Sequence, residues 1–531
     1  MPLHGKNIIG GSLLGAGAET FRAVDPATRR PLEPDFHHAT RAELDQAVEL
    51  ADRAFALRGS VEPAQTAALL ERIADEIDAL GDTLIERCGQ ETALPSGRLT
   101  GERARTTGQL RLFARVVTEG SWVDARIDRP LPDRTPVPKP DLRRMLIPIG
   151  PVLVFPASNF PLAFSVAGGD TASAFAAGCP VIVKARPQHA GTSELVGTAI
   201  QKAVAATGLP EGWFSLVHGP GRTTGLELVR HPAIRAVGFT GSVDGGRALF
   251  DAAAARPHPI PVYAEMGSIN PVFLLPGALA ARADEIAAGL HQSMTLGVGQ
   301  FCTQPGLVIA LDGEGLDRLL AALGRRVEET APATMLMGAI AEGYQQGVRE
   351  LEATSGVELV ARSGQAPDPQ KTQAAAAMYA TDAKTFLAGE VLRREVFGPS
   401  TLVVRCGTEA QMLDVARSLG GQLTATIHAA EDELDEHGRL VSILVTKAGR
   451  LLFGGFPTGV EVCPAMNHGG PYPATTDAHF TSVGTAAILR FARPVCYQNF
   501  PESRLPVELR DENARGVWRR VDGVLTKEDV C

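Results

Sequence analysis

The sequence predicts an α/β protein whose parallel sheets are covered by helices on both faces. From residue 150 onward, short apolar stretches alternate with segments of helical spacing. Such alternation favours parallel strands, because a parallel pair needs a long crossover that a helix usually fills. The predicted strands and helices of this region are, in order, Pro151–Phe155, Gly169–Ala177, Val181–Lys184, Ser193–Ala206, Phe214–Val217 and Ala236–Phe239. The alternation resumes after residue 265 and indicates a second α/β domain.

Length and composition exclude several classes of protein. The 531 residues, 44% of them hydrophobic and 21% charged, suffice for two or three domains with a large core. A net charge of -9 argues against a nucleic-acid partner. No apolar run is long enough to span a bilayer, and the N-terminus lacks a signal-peptide pattern. The seven cysteines form no CxxC pair, so we predict a cytoplasmic protein without a metal site.

The chain before residue 121 is predicted to add helices to the first domain. Thr40 and Glu43 form a capping box at the start of one amphipathic helix. Further helices are predicted over residues 63–80 and Gly108–Val117. The predicted domains are residues 1–121 with 146–264, and residues 265–465.

Residues 122–145 differ in character from their surroundings. Prolines recur from Pro130 to Pro140 among alternating charged and aliphatic residues. This pattern is typical of a strand hairpin that projects from the body of a protein. The alternative is a local surface hairpin that meets no other chain.

The strongest sign of chemistry is the segment 297–306, Gly-Val-Gly-Gln-Phe-Cys-Thr-Gln-Pro-Gly. Its glycines let backbone amides approach a ligand, and Pro305 limits the extent of regular structure. This setting suits a reactive thiol at Cys302 that is exposed yet held in place. The alternative is a buried cysteine that acts as a small apolar residue.

A second segment, 263–271, places Glu265 before Met-Gly-Ser at the end of an apolar run. Glu-Met-Gly-Ser and Gly-Gln-Phe-Cys together resemble the paired active-site signatures of the aldehyde dehydrogenase superfamily. The resemblance implies that Cys302 is the nucleophile and Glu265 the general base. It also implies a Rossmann-type cofactor domain, an α/β catalytic domain, and an oligomerisation arm of residues 122–145 and 486–505. A homodimer or homotetramer would follow.

Residues 238–246, Gly-Phe-Thr-Gly-Ser-Val-Asp-Gly-Gly, form a glycine-bearing turn between a strand and a helix. Free amides at a helix start bind phosphate, although the spacing is not GxGxxG and the segment alone could be an ordinary tight turn. The context resembles the family's cofactor loop. The resemblance therefore assigns cofactor contacts to Thr240, Gly241, Ser242 and Gly246.

The strand Val181–Lys184 continues into Ala-Arg-Pro-Gln-His, and its end is where the adenosine ribose meets a Rossmann-like sheet. An acid there binds the free 2′-hydroxyl, whereas cations accept a 2′-phosphate. Lys184, Arg186 and His189 are cations, and Pro187 stands where NAD-preferring members usually carry glutamate. We therefore predict NADP as the preferred cofactor, with NAD possible. The alternative is that Arg186 is a solvated surface residue.

Three further residues complete the predicted machinery. Asn159 follows a strand in Ser-Asn-Phe-Pro, where its amide suits an oxyanion hole or, alternatively, simply forms a turn. By resemblance to the family's motif, Glu395 with Phe397 contacts the nicotinamide ribose.

The predicted reaction is addition of the Cys302 thiolate to an aldehyde, oxidation to a thioester, and hydrolysis by water that Glu265 activates. No histidine stands beside these motifs in the sequence, so amides or cofactor charge are expected to favour the thiolate.

The segment 454–498 resembles the branch that oxidises α-ketoglutarate semialdehyde. Gly454 and Gly267 depart from that branch, which commonly has asparagine and serine there. We predict Arg111, on a helix expected to border the substrate channel, as a carboxylate-binding residue, with a structural ion pair as its alternative. Phe164 and Thr458 are predicted to line the channel. A broad fatty or aromatic aldehyde dehydrogenase and a non-catalytic scaffold are the other readings.

Overall fold

The structure, a computed structural model, describes residues 2–530; Cys531, the last of the seven cysteines, lies outside them. The strands are, in chain order, β1 (Asn7–Ile9), β2 (Ser12–Leu14), β3 (Thr20–Asp25), β4 (Arg30–His37), β5 (Arg126–Asp128), β6 (Leu142–Pro148), β7 (Val152–Phe155), β8 (Val181–Lys184), β9 (Phe214–Val217), β10 (Ala236–Thr240), β11 (Val262–Glu265), β12 (Val272–Leu274), β13 (Leu307–Leu311), β14 (Ala333–Thr334), β15 (Val357–Arg362), β16 (Gln373–Ala374), β17 (Ala377–Asp382), β18 (Ser400–Cys406), β19 (Gln422–His428), β20 (Ala448–Phe453), β21 (Ala492–Gln498), β22 (Arg519–Val521) and β23 (Val524–Thr526).

The helices follow the periodicity of the sequence closely in the first domain. They are α1 (Arg41–Ala56), α2 (Pro63–Ala79), α3 (Gly81–Thr92), α4 (Ser96–Glu119), α5 (Gly169–Ala176), α6 (Ala190–Ala206), α7 (Leu226–Arg230), α8 (Val243–Ala254), α9 (Pro276–Thr295), α10 (Glu314–Glu329), α11 (Gly338–Ala353), α12 (Ala383–Ala388), α13 (Glu409–Ser418), α14 (Glu433–Glu436) and α15 (Gly438–Val445). The capping box of α1 is confirmed, with Thr40 as N-cap and Glu43 returning a hydrogen bond. Within residues 2–530, no helix combines the length and the apolar character that a membrane span requires.

The first sheet positions most of the predicted site. Its seven strands lie in the order β11-β10-β7-β8-β9-β1-β2, and the five strands from β11 to β9 are parallel. Strands β8 and β9 lie on one side of β7, whereas β10 and β11 lie on its other side, so the strand order changes direction between β7 and β10. The carboxyl ends of parallel strands at such a switch point form a crevice for ligands. The loops that leave β7, β8, β10 and β11 carry the predicted residues to this crevice.

The second sheet contains seven strands in the order β15-β17-β18-β13-β12-β19-β20, all parallel except β15. Buried apolar side chains cover both of its faces, as a parallel sheet between helices requires. The loop that carries Cys302 runs from the end of α9 to the start of β13. The predicted α/β fold class is therefore confirmed.

A third sheet of five strands, β21-β6-β5-β22-β23, stands on its own small core. Strands β5 and β6 pair as an antiparallel hairpin, as predicted for residues 122–145. Strand β21 pairs along the whole of β6. The sheet also takes in β22 and β23, which lie beyond the predicted segment 486–505.

Candidate active site

An unusual backbone conformation presents Cys302. Gly297, Val298 and Gly299 all adopt left-handed φ angles, of 57°, 58° and 67°. For Val298 this conformation is strained, because its branched Cβ crowds the backbone. Gly299 cannot carry a side chain, since a Cβ there would lie 2.2 Å from the carbonyl carbon of Gly398. The run ends α9 abruptly and turns the chain so that Cys302 faces the end of β11.

Two amides hold this loop in place. Asn270 donates through Nδ2 to the carbonyl oxygens of Cys302 and Gln304, at 2.9 Å each. The Gln304 side chain in turn donates to the Ser400 carbonyl at 2.7 Å. Asn270 belongs to the loop that follows Glu265, so the two predicted signatures are bonded directly to each other. Neither Asn270 nor Gln304 was predicted from the sequence as a site residue.

Cys302 and Glu265 meet at a histidine that sequence reasoning missed. His468 Nε2 lies 3.0 Å from Glu265 Oε1 and 3.6 Å from Cys302 Sγ. Ser482 donates to the other carboxylate oxygen, Oε2, at 2.6 Å. The thiol therefore has a histidine neighbour in the fold, although none stands beside the two motifs in the sequence. His468 and Ser482 both lie in the segment 454–498, which the sequence singled out only by its resemblance to one branch of the family.

The surroundings disfavour ionisation of Cys302 and favour ionisation of Glu265. Burial raises the pKa of Cys302 well above its usual range, and the Glu265 carboxylate raises it further. Burial also resists ionisation of Glu265, but the charge and hydrogen bond of His468 and the hydrogen bond from Ser482 outweigh it, so that the pKa of Glu265 falls to about 2. The resting site thus holds a neutral thiol beside an ionised base.

The same atoms are close enough to hold a metal ion. One ligand atom each from Glu265, Cys302 and His468 lie within 4.8 Å of one another. Because Glu265 and His468 already form a hydrogen bond, a metal would have to displace that contact. The expectation of a metal-free protein stays a prediction.

Asn159 lies beside the loop that carries Cys302. Its side chain is buried, and Nδ2 donates to the Gln300 carbonyl, two residues before Cys302, at 2.9 Å. Arg98 fixes the Asn159 carbonyl from the other side, at 2.7 Å. The amide has a second N–H, and the Cys302 backbone N–H has no protein acceptor in the described chain. Both N–H groups can therefore donate to a ligand beside Cys302, as the predicted oxyanion hole requires.

Aromatic rings form one wall of the site, and the predicted Phe164 is among them. Phe160 packs edge-on against Phe164 at 5.3 Å and against Phe301 at 5.1 Å. The Phe164 ring lies 6.4 Å from the His468 ring, and the Arg105 guanidinium carbon lies 5.1 Å from its centre. The wall therefore joins the reactive centre to a cation on α4.

The predicted phosphate turn has the conformation that it needs. Ser242 is the N-cap of α8, and its side chain accepts from the Gly245 N–H at 3.3 Å. The Val243 and Asp244 N–H groups meet no acceptor among residues 2–530, so they point outward with the helix dipole. A Cβ on Gly241 would lie 2.7 Å from the Phe239 ring, and one on Gly246 would lie 2.6 Å from Met266 Sδ. These glycines are thus required by packing, and the residues suit a dinucleotide.

The three cations after β8 do not share one environment. The Arg186 guanidinium donates to the carbonyls of Pro156 and, at 3.1 Å, Thr240, which fixes it between two strand ends. Lys184 is buried, and burial with the charge of Arg186 lowers its pKa to about 7. His189 is fully buried against the Ala157 carbonyl, and burial lowers its pKa to about 4. The assignment of His189 as a cofactor contact is wrong, because the ring is neutral and faces the interior.

Glu395 reaches the mouth of the site beside Gly267. A Cβ on Gly267 would lie 2.9 Å from Val243 Cγ2 and 3.0 Å from Glu395 Oε2. The departure at Gly267 therefore leaves room for the Glu395 carboxylate. Glu395 is exposed and Phe397 is half-buried, so both remain candidate cofactor contacts. The departure at Gly454 has a backbone reason, since its φ of +73° suits glycine or asparagine.

Two predicted substrate residues remain, Arg111 and Thr458. Arg111 faces acidic residues of α2. Arg111 bonds Asp75 at 2.8 Å and Asp78 at 3.0 Å, both on α2, and a third acid, Glu71, lies 3.6 Å away. The substrate-binding role predicted for Arg111 is therefore wrong, and its ion-pair alternative is correct. Thr458, in the loop that follows β20, forms a hydrogen bond of 2.9 Å with Ser293 of α9.

The chain is similar to known proteins over most of its length. The sequence profile of the Aldehyde dehydrogenase family matches residues 14–439. The chain is 54% identical over 524 residues to Alpha-ketoglutaric semialdehyde dehydrogenase 2 of Azospirillum brasilense, covering 98% of this chain and 99% of that one. It is 47% identical to Alpha-ketoglutaric semialdehyde dehydrogenase of Acinetobacter baylyi, covering 99% of each. Methylmalonate-semialdehyde dehydrogenase of Oceanimonas doudoroffii shares the fold at a TM-score of 0.79 and 17% identity, covering 93% of this chain and 98% of that one.

Proposed function

Since the chain belongs to the aldehyde dehydrogenase family, we propose that it oxidises α-ketoglutarate semialdehyde to α-ketoglutarate with a nicotinamide cofactor. The observation that carries the proposal is the contact of Cys302 with His468 and Glu265, flanked by Asn159. A scaffold protein would have no reason to keep these four groups together. The choice of substrate is supported by the two relatives that align over nearly the whole chain.

The first step is addition of sulfur to the aldehyde carbon. Glu265, ionised and bonded to His468, is the base that receives the thiol proton, directly or through the imidazole. The His468 N–H stabilises the thiolate that remains. As the carbonyl oxygen gains negative charge, the Asn159 amide and the Cys302 N–H donate to it.

The second step converts this adduct to a thioester on Cys302. The nicotinamide ring, when bound, supplies a hydride acceptor. The glycine turn before α8 and Glu395 would hold the cofactor, and the aromatic wall keeps bulk water from the adduct.

The third step releases the acid. Glu265 first passes the thiol proton to solvent, which its low pKa favours. It then takes a proton from a water molecule, which attacks the thioester carbon, and Cys302 leaves as the thiolate. The low pKa of Glu265 keeps it ionised for this role at every pH above about 5.

We also propose that NADP is preferred over NAD. The loop after β8 offers no acid to a 2′-hydroxyl, and it offers a guanidinium whose position is set by two carbonyls. In the described chain the Nη1 hydrogens of Arg186 have no protein partner, so a 2′-phosphate can accept them.

Self-association and a cytoplasmic location belong to the same proposal. The third sheet leaves Val524 and Leu525 of β23 more than half exposed, and uncovered apolar strands favour contact with another subunit. The six described cysteines are free thiols, which suits a reducing compartment.

A competing function, oxidation of long-chain or aromatic aldehydes, draws on the aromatic wall of Phe160, Phe164 and Phe301. Steady-state kinetics decide between them with NADP and NAD against α-ketoglutarate semialdehyde, decanal and benzaldehyde. We expect the highest kcat/KM for the semialdehyde with NADP. A higher value for decanal or benzaldehyde would overturn the proposed substrate.

A further inference from the structure

Helix α4 carries arginines that face in different directions. Arg98 bonds the Asn159 carbonyl and lies over two rings of the aromatic wall, and Arg111 is paired with acids of α2. Arg105 differs from both. Its guanidinium lies over Phe164, and no carboxylate of the described chain comes within ion-pair distance of it. Its Nε is shielded from water and has no hydrogen-bond partner among residues 2–530.

A second arginine, Arg450 on β20, approaches the site from the other domain. Its Nη groups donate to the carbonyls of Pro457 at 2.7 Å and Gly459 at 3.1 Å, which hold the guanidinium in place. Its Nε is again shielded and unbonded within the described chain. The neighbouring Gly449 carbonyl accepts from Asn467, the residue before His468, at 2.8 Å. Arg450 therefore stands beside the segment that carries His468.

Both guanidinium groups act electrostatically on the reactive centre. Burial lowers the pKa of Arg105, while the negative charges of Glu102, Cys302 and Glu265 raise it. Burial likewise lowers the pKa of Arg450, and a thiolate at Cys302 raises it. The nearby Glu102 does not bond Arg105: its Oε1 accepts from the N–H groups of Leu162 and Ala163, and its Oε2 has no hydrogen-bond partner in the described chain.

A shielded guanidinium with an unused N–H is costly unless an acceptor arrives from outside the chain. We propose that Arg105 and Arg450 bind the carboxylate and adjoining keto oxygen of the substrate, at the end remote from its aldehyde. The inference rests on the proposed function and deepens it. It assigns the preference for an acidic aldehyde to two residues from different domains.

The test compares a charged aldehyde with an uncharged one of the same carbon number. Arg105→Met and Arg450→Met remove a charge, Arg105→Lys keeps it, and Arg111→Met is the control on the same helix. Each protein is assayed with α-ketoglutarate semialdehyde and with pentanal at saturating NADP. Because these charges also favour the Cys302 thiolate, some loss with both substrates is expected, and the ratio of the two isolates the carboxylate contact.

We expect Arg105→Met and Arg450→Met to lower kcat/KM about ten- to a hundredfold more for the semialdehyde than for pentanal, chiefly through KM. Arg105→Lys falls between, and Arg111→Met leaves the ratio unchanged. Equal losses for both substrates in the methionine variants would overturn the inference while leaving the proposed function intact. A wild-type enzyme that oxidises pentanal as well as the semialdehyde would overturn both.

A binding measurement covers variants that turn over too slowly to assay. Glutarate, which carries the carboxylate without the aldehyde, should protect Cys302 of the wild type and of Arg111→Met from alkylation by iodoacetamide. Protection should weaken about tenfold or more in Arg105→Met and Arg450→Met. Undiminished protection in both of these variants, with unchanged melting temperatures, would contradict the inference.

Discussion

The reactive centre brings together residues that are far apart in the sequence, whereas the loop after β8 separates residues that are close together in it. Glu265 and His468 are 203 residues apart, and Cys302 and His468 are 166 apart, yet these three side chains meet. Lys184 and His189 are close neighbours in the chain, yet Lys184 is buried at a strand end and His189 faces the interior. The difference shows that a cluster of charges in sequence is weak support for a binding site. Chemistry is concentrated where strand ends from distant segments converge.

The largest expected effect tests the reactive centre, where Cys302, Glu265 and His468 meet. Cys302→Ala should lower dehydrogenase activity by on the order of 10⁴-fold or more, because no other group supplies the covalent step. Binding of NADP, followed by fluorescence quenching, should be nearly unchanged. The partly buried Cys463 offers a matched control, and Cys463→Ala should retain activity. Substantial cofactor reduction by Cys302→Ala would contradict the assignment.

The next effect separates the two roles of the base. Glu265→Gln should slow hydrolysis of the thioester by about 10²–10³-fold, with less effect on hydride transfer. Stopped-flow absorbance should then show a burst of reduced cofactor near one per active site. Ser482→Ala removes one of the bonds that hold the carboxylate and should slow turnover about tenfold. Loss of the burst in Glu265→Gln would mean that the carboxylate acts mainly on the thiol.

The third effect is a pH dependence that arises from the Cys302 thiol and that His468 modifies. Because burial and the Glu265 charge raise the pKa of Cys302, its thiolate fraction and kcat/KM should rise with pH through the neutral range. Glu265 cannot cause this rise, because its pKa of about 2 keeps it ionised throughout. His468→Gln removes the imidazole beside the sulfur, so it should lower kcat/KM about ten- to a hundredfold at pH 7, and less at pH 9.5, where more of the thiol is ionised without its help. A loss of the same size at every pH would indicate that His468 only fills space.

The smallest effects test the loop after β8, which carries Arg186 and His189. Arg186→Glu should reduce the preference for NADP over NAD about ten- to a hundredfold, by placing an acid where the phosphate lies. His189→Ala should leave that preference within about threefold, since the ring is neutral and internal, and should instead destabilise the fold by about 1–3 kcal/mol. Kinetics with both cofactors and thermal unfolding measure the two outcomes. A shift in cofactor preference caused by His189→Ala alone would show that this ring faces the cofactor after all.

Local pattern predicted the elements well where periodicity and caps agree. Strand β8 has its predicted bounds, and α2 ends one residue before the predicted 80. Helix α4 begins at Ser96 rather than near Gly108, because three glycines and many charges weaken its local helical signal, whereas packing against α2 stabilises it. Cys302, Glu265 and Asn159 were identified because each stands in its own recognisable segment.

The remaining site residues were not predictable in the same way. His468 is placed by contacts with residues 203 and 166 positions away in the sequence, which exist only once the chain has folded. The role of Arg105 depends on which face of α4 turns toward Phe164, and the weak amphipathic pattern of that helix concealed this face. Arg111 and His189 were misassigned because their partners, acids of α2 and the Ala157 carbonyl, lie far along the chain. Side-chain partners of this kind are a property of tertiary structure.

The most direct test of the central claim is to trap the covalent intermediate. Glu265→Gln is mixed with α-ketoglutarate semialdehyde and NADP, quenched in acid, digested and analysed by mass spectrometry. We predict that the peptide containing Cys302 carries the mass of the substrate less two hydrogen atoms, in an amount equal to the burst of NADPH. The same peptide should carry no adduct when NADP is omitted and the protein is denatured before analysis. NADPH formed without any adduct on Cys302, or with the adduct on another cysteine, would contradict the claim.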